Sequence, residues 1–493
     1  MKNYFKTILP LLILLAAAIP ANALQIVYPK TPNTEVSAAS TFFVGNTNPE
    51  ASLKINDKEV KIFDNGSFVE VVPLKDGFNR IIIDSKAGTE HDIMTYIIKR
   101  VPPKSLTIPE AELIEFPQNE FIYAATVKGN TPLRAQPDEY AQRITHLDSN
   151  TVLMINGKKG DFFRVSLTPE KNVWVRADSV VTYSTINSKM LANIDTVSVC
   201  EDALFEYIKT KISFAAPYKI TETDTGLSVD LYNIKENNAD TTLFKPTSTL
   251  KSLAINQIAP ENKSTYFVEL NHRLWGYDAY YENGYFVIKI RKKPQIDAKQ
   301  PLKGLTVALD AGHGADDAGA IGPTGVKEKD INLDIANRLK SVLEKAGASV
   351  VMTREDDTNP QLYDRIKTAK ESNALFLISL HANALKDGGN PYEKHGTAVF
   401  YYNAQTVDFA KIIRDTLTKE LQTKDDGVGM YSLVVTRPTM PLSVLVEVAY
   451  MIHPEEYKML LDEKFRQKSA EAIKNALETY VKTNCTVSGT NYQ

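Results

Sequence analysis

Hydrophobic positions along the chain follow two rhythms, and the change comes near residue 302. Before it, apolar residues come in short, partly alternating runs at 51–55, 60–63, 67–71 and 79–83, with Asp64-Asn65-Gly66 as a hairpin signal between two of them. These runs predict a small β-sandwich over residues 24–103, closed by Val101-Pro102-Pro103-Lys104. Residues 115–186 also read as all-β. Residues 195–295 read as a further β-rich unit, with strands at 227–232, 266–270 and 285–290 and a hairpin turn at Asn283-Gly284. Trp275, Tyr277, Tyr280 and Tyr281 gather there, either as a sugar-stacking face or as cross-strand packing. The charged stretch 291–301 ends in Pro301 and reads as a linker.

From residue 302 to 485 the rhythm alternates. Short apolar runs at 305–309, 349–352, 374–380, 397–402 and 444–448 predict strands. Between them, Ile331, Ile335, Leu339, Val342 and Leu343 recur at helical spacing, and Gly347 ends that helix. Further helices are predicted at 361–371, around Phe409, Ile412, Ile413 and Leu417, and at 455–481. Alternating strands and helices predict an α/β domain with a twisted, mostly parallel sheet flanked by helices. Sheets of that kind bind ligands beyond the carboxyl ends of their strands.

Composition narrows the setting. A chain of 493 residues is too long for one core, so β modules followed by an α/β domain is a natural division. A net charge of -3 without a basic block excludes a nucleic-acid partner of the usual electrostatic kind. Lys2 and Lys6, the apolar run 8–20 and Ala21-Asn22-Ala23 predict a secretory signal peptide over residues 1–23, with an uncleaved anchor as the other reading. Cleavage leaves no stable membrane anchor and exports the protein to the periplasm, the cell wall or beyond. Cys200 and Cys485 leave one long-range disulfide open, and two cysteines are too few for a thiolate metal site. The sequence sets no oligomeric state.

Candidate chemistry gathers at the predicted strand ends. His313 stands between Gly312 and Gly314 directly after the first strand, a poor place for core packing and a good one for a ligand. His381 closes another strand in the same way. Zinc takes neutral imidazoles with a carboxylate and keeps a position open, and Glu328 is a suitable third donor. Spacing alone does not identify such a site, and a glutamate at a helix start is also what the helix dipole favours. Glu447 interrupts the apolar run Val444-Leu445-Val446-Glu447-Val448, where a charge is costly unless paired or used, or unless the strand lies at an edge. His395 and His453 read as surface or loop histidines, with a place in the pocket lining as the other reading. Arg354 and Arg365 read as residues that orient loops or carboxylates.

Five stretches together carry a resemblance. They are Leu309-Asp310-Ala311-Gly312-His313-Gly314, Glu328-Lys329-Asp330-Ile331-Asn332-Leu333, Thr353-Arg354, Ser379-Leu380-His381-Ala382-Asn383 and Leu445-Val446-Glu447. Over residues 302–481 the chain resembles the zinc-dependent N-acetylmuramoyl-L-alanine amidases of bacterial wall turnover. The resemblance implies zinc held by His313, Glu328 and His381, with Glu447 as catalytic acid/base. It implies peptidoglycan as substrate, cut between N-acetylmuramic acid and L-alanine of the stem peptide. Ala449-Tyr450 and His453 depart from the family's frequent Gly-Phe and Asn, beside Glu447 but at no proposed ligand. Residues 384–394 are too few for the long helical lid that some members carry after the Ser-Leu-His-Ala-Asn stretch, so an enzyme without that autoinhibition is expected. Upstream, residues 24–103 resemble immunoglobulin-like wall modules and 195–295 resemble wall-targeting β-sandwiches. Leu133-Arg134-Ala135-Gln136-Pro137, Asp161-Phe162-Phe163-Arg164-Val165 and Trp174-Val175 resemble a bacterial SH3-like domain, as a wall-peptide binder or as a spacer with Trp174 in its core. The rival readings are a wall-binding scaffold without activity and a different zinc hydrolase, such as a wall-sugar deacetylase or an exopeptidase.

Overall fold

The computed structural model describes residues 23–103, 111–239 and 244–488. The expected signal peptide lies, but for its last residue, outside them, and the linker after Val101 runs into residues 104–110, also outside them. Among the described residues no helix is long and apolar enough to cross a membrane.

Three β modules precede the α/β domain. The first pairs Gln25–Tyr28, Ser40–Asn46 and Ser67–Pro73 in one sheet, opposite a five-stranded sheet centred on the hairpin Gly77–Ala87 and Glu90–Arg100. Phe43, Phe68, Ile81, Ile83 and Ile98 fill the space between the two sheets. A second all-β unit follows between Leu113 and Ile186, and a third between Ala192 and Arg291 contains two sheets. Their buried side chains, from Leu133 and Val165 to Tyr266 and Ile288, form one continuous cluster. Val173 and Val175 enter that cluster, while Trp174 between them is half-buried. Trp275 is fully buried and packs edge-on against Tyr480 at 5.6 Å, so this tryptophan joins the third module to the α/β domain and offers no sugar-stacking face. Cys200 is exposed and Cys485 buried, and both are free.

The α/β domain runs β1 (Thr306–Ala311), α1 (Glu328–Lys345), β2 (Ser349–Met352), α2 (Leu362–Glu371), β3 (Phe376–Asn383) and β4 (Thr397–Tyr401). It continues with α3 (Val407–Leu421), β5 (Asp425–Met430), β6 (Leu442–Tyr450), α4 (Pro454–Leu461) and α5 (Glu463–Asn484). The sheet order is β2-β1-β3-β6-β4-β5. The first four strands in that order are parallel, and so is β4 with β5, but β4 meets β6 antiparallel. The sheet is therefore mixed, which the alternating pattern alone did not foresee. The cause is local. Residues 384–396 contain no helix to carry the chain back across the sheet, so β4 starts at the end where β3 stops and runs the other way.

One face of the sheet packs on α1, α3 and α5. Ile331, Ile335, Leu339 and Leu343 of α1 are buried at a four-residue repeat, each contributing roughly 1.5–3 kcal/mol through burial. Ala369 of α2 covers Ala308 and Leu377 on the opposite face. Strands buried on both faces read as unbroken apolar runs, which explains why Glu447 is conspicuous in β6.

Candidate active site

β1, β3 and β6 end side by side, and their register places Asp310 beside Ser379 and His381 beside Glu447. His313 follows β1 in a left-handed conformation with φ +63°, a strained backbone for a residue with a Cβ. The approach is close enough to demand glycine on two sides. A Cβ on Gly312 would lie 2.2 Å from the His381 ring, and one on Gly319 would lie 2.5 Å from the Glu328 carboxylate. Both glycines let the two histidines and Glu328 converge.

His313, Glu328 and His381 bring their ligand atoms within 4.8 Å of one another. Glu328 Oε1 lies 3.2 Å from His313 Nε2 and 2.9 Å from His381 Nδ1. Its other oxygen accepts from the Ala320 amide at 2.8 Å, which fixes the carboxylate from behind. Asp317 holds His313 Nδ1 at 2.8 Å and leaves Nε2 turned to Glu328. Burial pulls the His313 imidazole down, but the hydrogen bond and charge of Glu328, aided by Asp317, outweigh it and raise the group to about 9. Burial likewise opposes the Glu328 charge, yet the two imidazoles hold its carboxyl well below the usual range.

Glu447 sits one strand away with opposite electrostatics. It is buried, and its Oε2 finds no hydrogen-bond partner among the described residues. Burial pushes its carboxyl up to about 7, with the negative charge of Glu328 adding to the effect and His381 working against it. An orphaned buried carboxylate next to two imidazoles and a second carboxylate is costly unless it has work to do. The donor chemistry fits zinc: two imidazole nitrogens and one carboxylate oxygen from three separate elements, with Glu447 near but outside the trio.

Beneath these residues lies a polar support. Asp310 is buried and accepts from Arg365 at 2.8 Å, Thr353 at 2.6 Å and Ser379 at 2.6 Å. Arg365 also donates to the carbonyls of Ala311 and His313, while Arg354 donates to those of Ala311, Gly312 and Lys329. The two arginines thus hold the loop that carries His313. Asp317 was missed by sequence reasoning, although an acid four residues after a candidate ligand was its signal.

His395 and His453 lie apart from this trio. His453 is not a surface residue: it is buried, its Nδ1 caps α4 by accepting from the Glu456 amide at 3.3 Å, and its ring stacks on His395 at 4.1 Å. Glu456 takes hydrogen bonds from His395, Gly396 and Tyr450, which satisfies the cluster internally. The short segment after Asn383 lies under the first β module. Asp387 accepts from Tyr28 at 2.7 Å and Thr41 at 2.6 Å, and Phe42, Val44 and Val69 pack against Tyr450 and Ile452.

Residues 307–479 match the family model described as N-acetylmuramoyl-L-alanine amidase, a span that includes all four residues of the site. Three relatives come from Bacillus subtilis (strain 168). The uncharacterized protein YqiI is 34% identical over 188 residues, 38% of this chain and 90% of its own length. The N-acetylmuramoyl-L-alanine amidase LytC is 34% identical over 186 residues, 37% of this chain, but only 36% of LytC's length is spanned. The germination-specific N-acetylmuramoyl-L-alanine amidase is 32% identical over 198 residues, 36% of this chain and 81% of its own length. By these matches the chain belongs to the N-acetylmuramoyl-L-alanine amidase family.

Proposed function

We propose that the chain hydrolyses peptidoglycan at the amide between the lactyl group of N-acetylmuramic acid and L-alanine of the stem peptide. In this reading zinc is held by His313, Glu328 and His381, and Glu447 is the acid/base. The observation that carries it is the buried Glu447 carboxylate, unpartnered through Oε2, beside the convergent His-Glu-His donors. When bound, zinc supplies Lewis acidity toward water and the scissile carbonyl, with water pKa values near ~7 in such sites.

The chain's own residues supply the rest. The Glu447 carboxylate takes the proton of the attacking water and returns it to the departing alanine nitrogen, and a carboxyl raised to about 7 suits both transfers at neutral pH. Asp317 fixes the His313 tautomer, and Arg354 and Arg365 keep the backbone of residues 311–313 in place. Peptidoglycan lies outside the cytoplasm, so the reading places the protein in the periplasm or at the cell wall, in keeping with the predicted signal peptide.

Metal removal tests the donor set. Treatment with a strong chelator is expected to abolish hydrolysis, and one equivalent of zinc, but not magnesium, to restore it. Activity that survives verified removal of the metal would exclude the His313–Glu328–His381 reading.

A further inference from the structure

At the opposite end of the sheet from the candidate active site, a cavity of about 830 Å³ opens between the third β module and the α/β domain. Residues 304–306, where β1 begins, and Leu375, just before β3, form one side of it, whereas His313 and His381 stand at the other ends of those strands. Asn271, His272 and the run Arg291-Lys292-Lys293 form the facing side. Among the described residues no aspartate or glutamate lines this space.

Arg291 is the strongest demand in it. The residue is only 7% exposed, and its guanidinium lies over the Phe205 ring at 4.9 Å. Among the described residues only Nη2 of that guanidinium is hydrogen-bonded, to the carbonyls of Asn373 at 2.6 Å and Ala374 at 3.2 Å, while Nε is buried without a partner. No carboxylate answers its charge, and burial pulls its pKa down to about 10. A buried guanidinium without a counter-charge is costly unless an anion joins it.

Two neighbours add to that demand. Lys292 is paired with Glu201 at 2.6 Å, but Lys293 has no carboxylate partner among the described residues. His272 Nδ1 lies 2.8 Å from the Arg273 carbonyl, which only accepts, so Nδ1 carries the proton. The other ring nitrogen, Nε2, is buried and unpartnered. Burial, with the charge of Lys293 adding to it, holds this imidazole below its usual value despite the Arg273 carbonyl. An anion beside the ring favours its charged form, in which Nε2 becomes a second donor.

Two unanswered cations and an imidazole thus surround one space that holds no acid. A phosphate ester brings roughly 1.5–2 negative charges and three strongly accepting oxygens, more than a single carboxylate offers. The volume falls in the range of roughly 300–1,000 Å³ that small-molecule sites occupy, so the anionic group belongs to a larger ligand.

We propose that this cavity binds a phosphate ester, with Arg291, Lys293 and His272 holding the phosphoryl oxygens. The site lies away from the candidate zinc donors and rests on no reading of their chemistry.

Titration of the full chain with glycerol 3-phosphate, followed by calorimetry and by the His272 ring resonances, tests this. The expected result is saturable binding that shifts those resonances and that Lys293→Gln and His272→Gln each weaken about tenfold. Inorganic phosphate should displace the ester from the unaltered protein and acetate at the same ionic strength should not, a comparison that needs no variant to fold. No saturable binding, unchanged affinity in either variant, or displacement by acetate as effective as by phosphate overturns the proposal.

Discussion

Glu447→Gln is expected to give a folded protein that still binds one zinc and whose turnover falls by roughly 10²–10⁴. The substitution keeps the shape of the side chain and removes its ability to take a proton. Burial raises the carboxyl to about 7, and the Glu328 charge opposes its ionisation further. The proton therefore has a resting place whose energy is close to neutral water's. A bound cation draws that value downward, so kcat/KM should rise with pH at or below about 7 as the base deprotonates, and the variant should lose that rise. Rate, metal content and pH profile check this together. A variant within tenfold of the unaltered enzyme would remove Glu447 from the chemistry.

Asp310→Ala carries the largest expected effect on stability, about 3–5 kcal/mol, although the residue touches neither substrate nor metal donors. Its carboxylate is buried against Arg365, which is also buried, and receives Thr353 and Ser379. Burial alone would raise its pKa, but Arg365 and the two hydroxyls outweigh that and lower it. The folded value is thus below the unfolded one. The stabilisation is present above the unfolded pKa of Asp and is lost as pH falls through the folded value. Removing the carboxylate leaves the Arg365 guanidinium buried against carbonyls only. The denaturant midpoint of the α/β domain should drop, and amides of residues 306–313 should exchange faster with solvent. Unchanged exchange there would mean that Arg354 alone holds the His313 loop.

Three of the four candidate residues stand out in the sequence because each breaks a local rule, while Glu328 obeys one. His313 and His381 stand where apolar strands end, Glu447 breaks an apolar run, and Glu328 opens a helix. The polar support was only partly legible. Asp310 follows an apolar strand and could be taken for a turn residue, and its partners Thr353, Arg365 and Ser379 come from three other segments. The antiparallel β4 was hidden for a different reason: strand direction depends on what connects the strands, and a short helix-free connection leaves no mark in hydrophobic periodicity.

Contacts between modules were the least legible. Asp387 meets Tyr28 and Thr41 across more than 340 positions of sequence, and Arg291 reaches the Asn373 carbonyl from another module. No local pattern encodes such meetings. His453 does lie in a loop, as read, but is buried rather than on the surface: its cap to the Glu456 amide is local, whereas the stacking on His395 comes from a distant segment.

The most direct test is mass spectrometry of the products from purified peptidoglycan incubated with residues 24–493 and zinc. Free stem peptides beginning at L-alanine, together with glycan stripped of peptide, are the predicted products. Intact muropeptides from a folded, zinc-bound protein, or the release of acetate alone, would contradict the account.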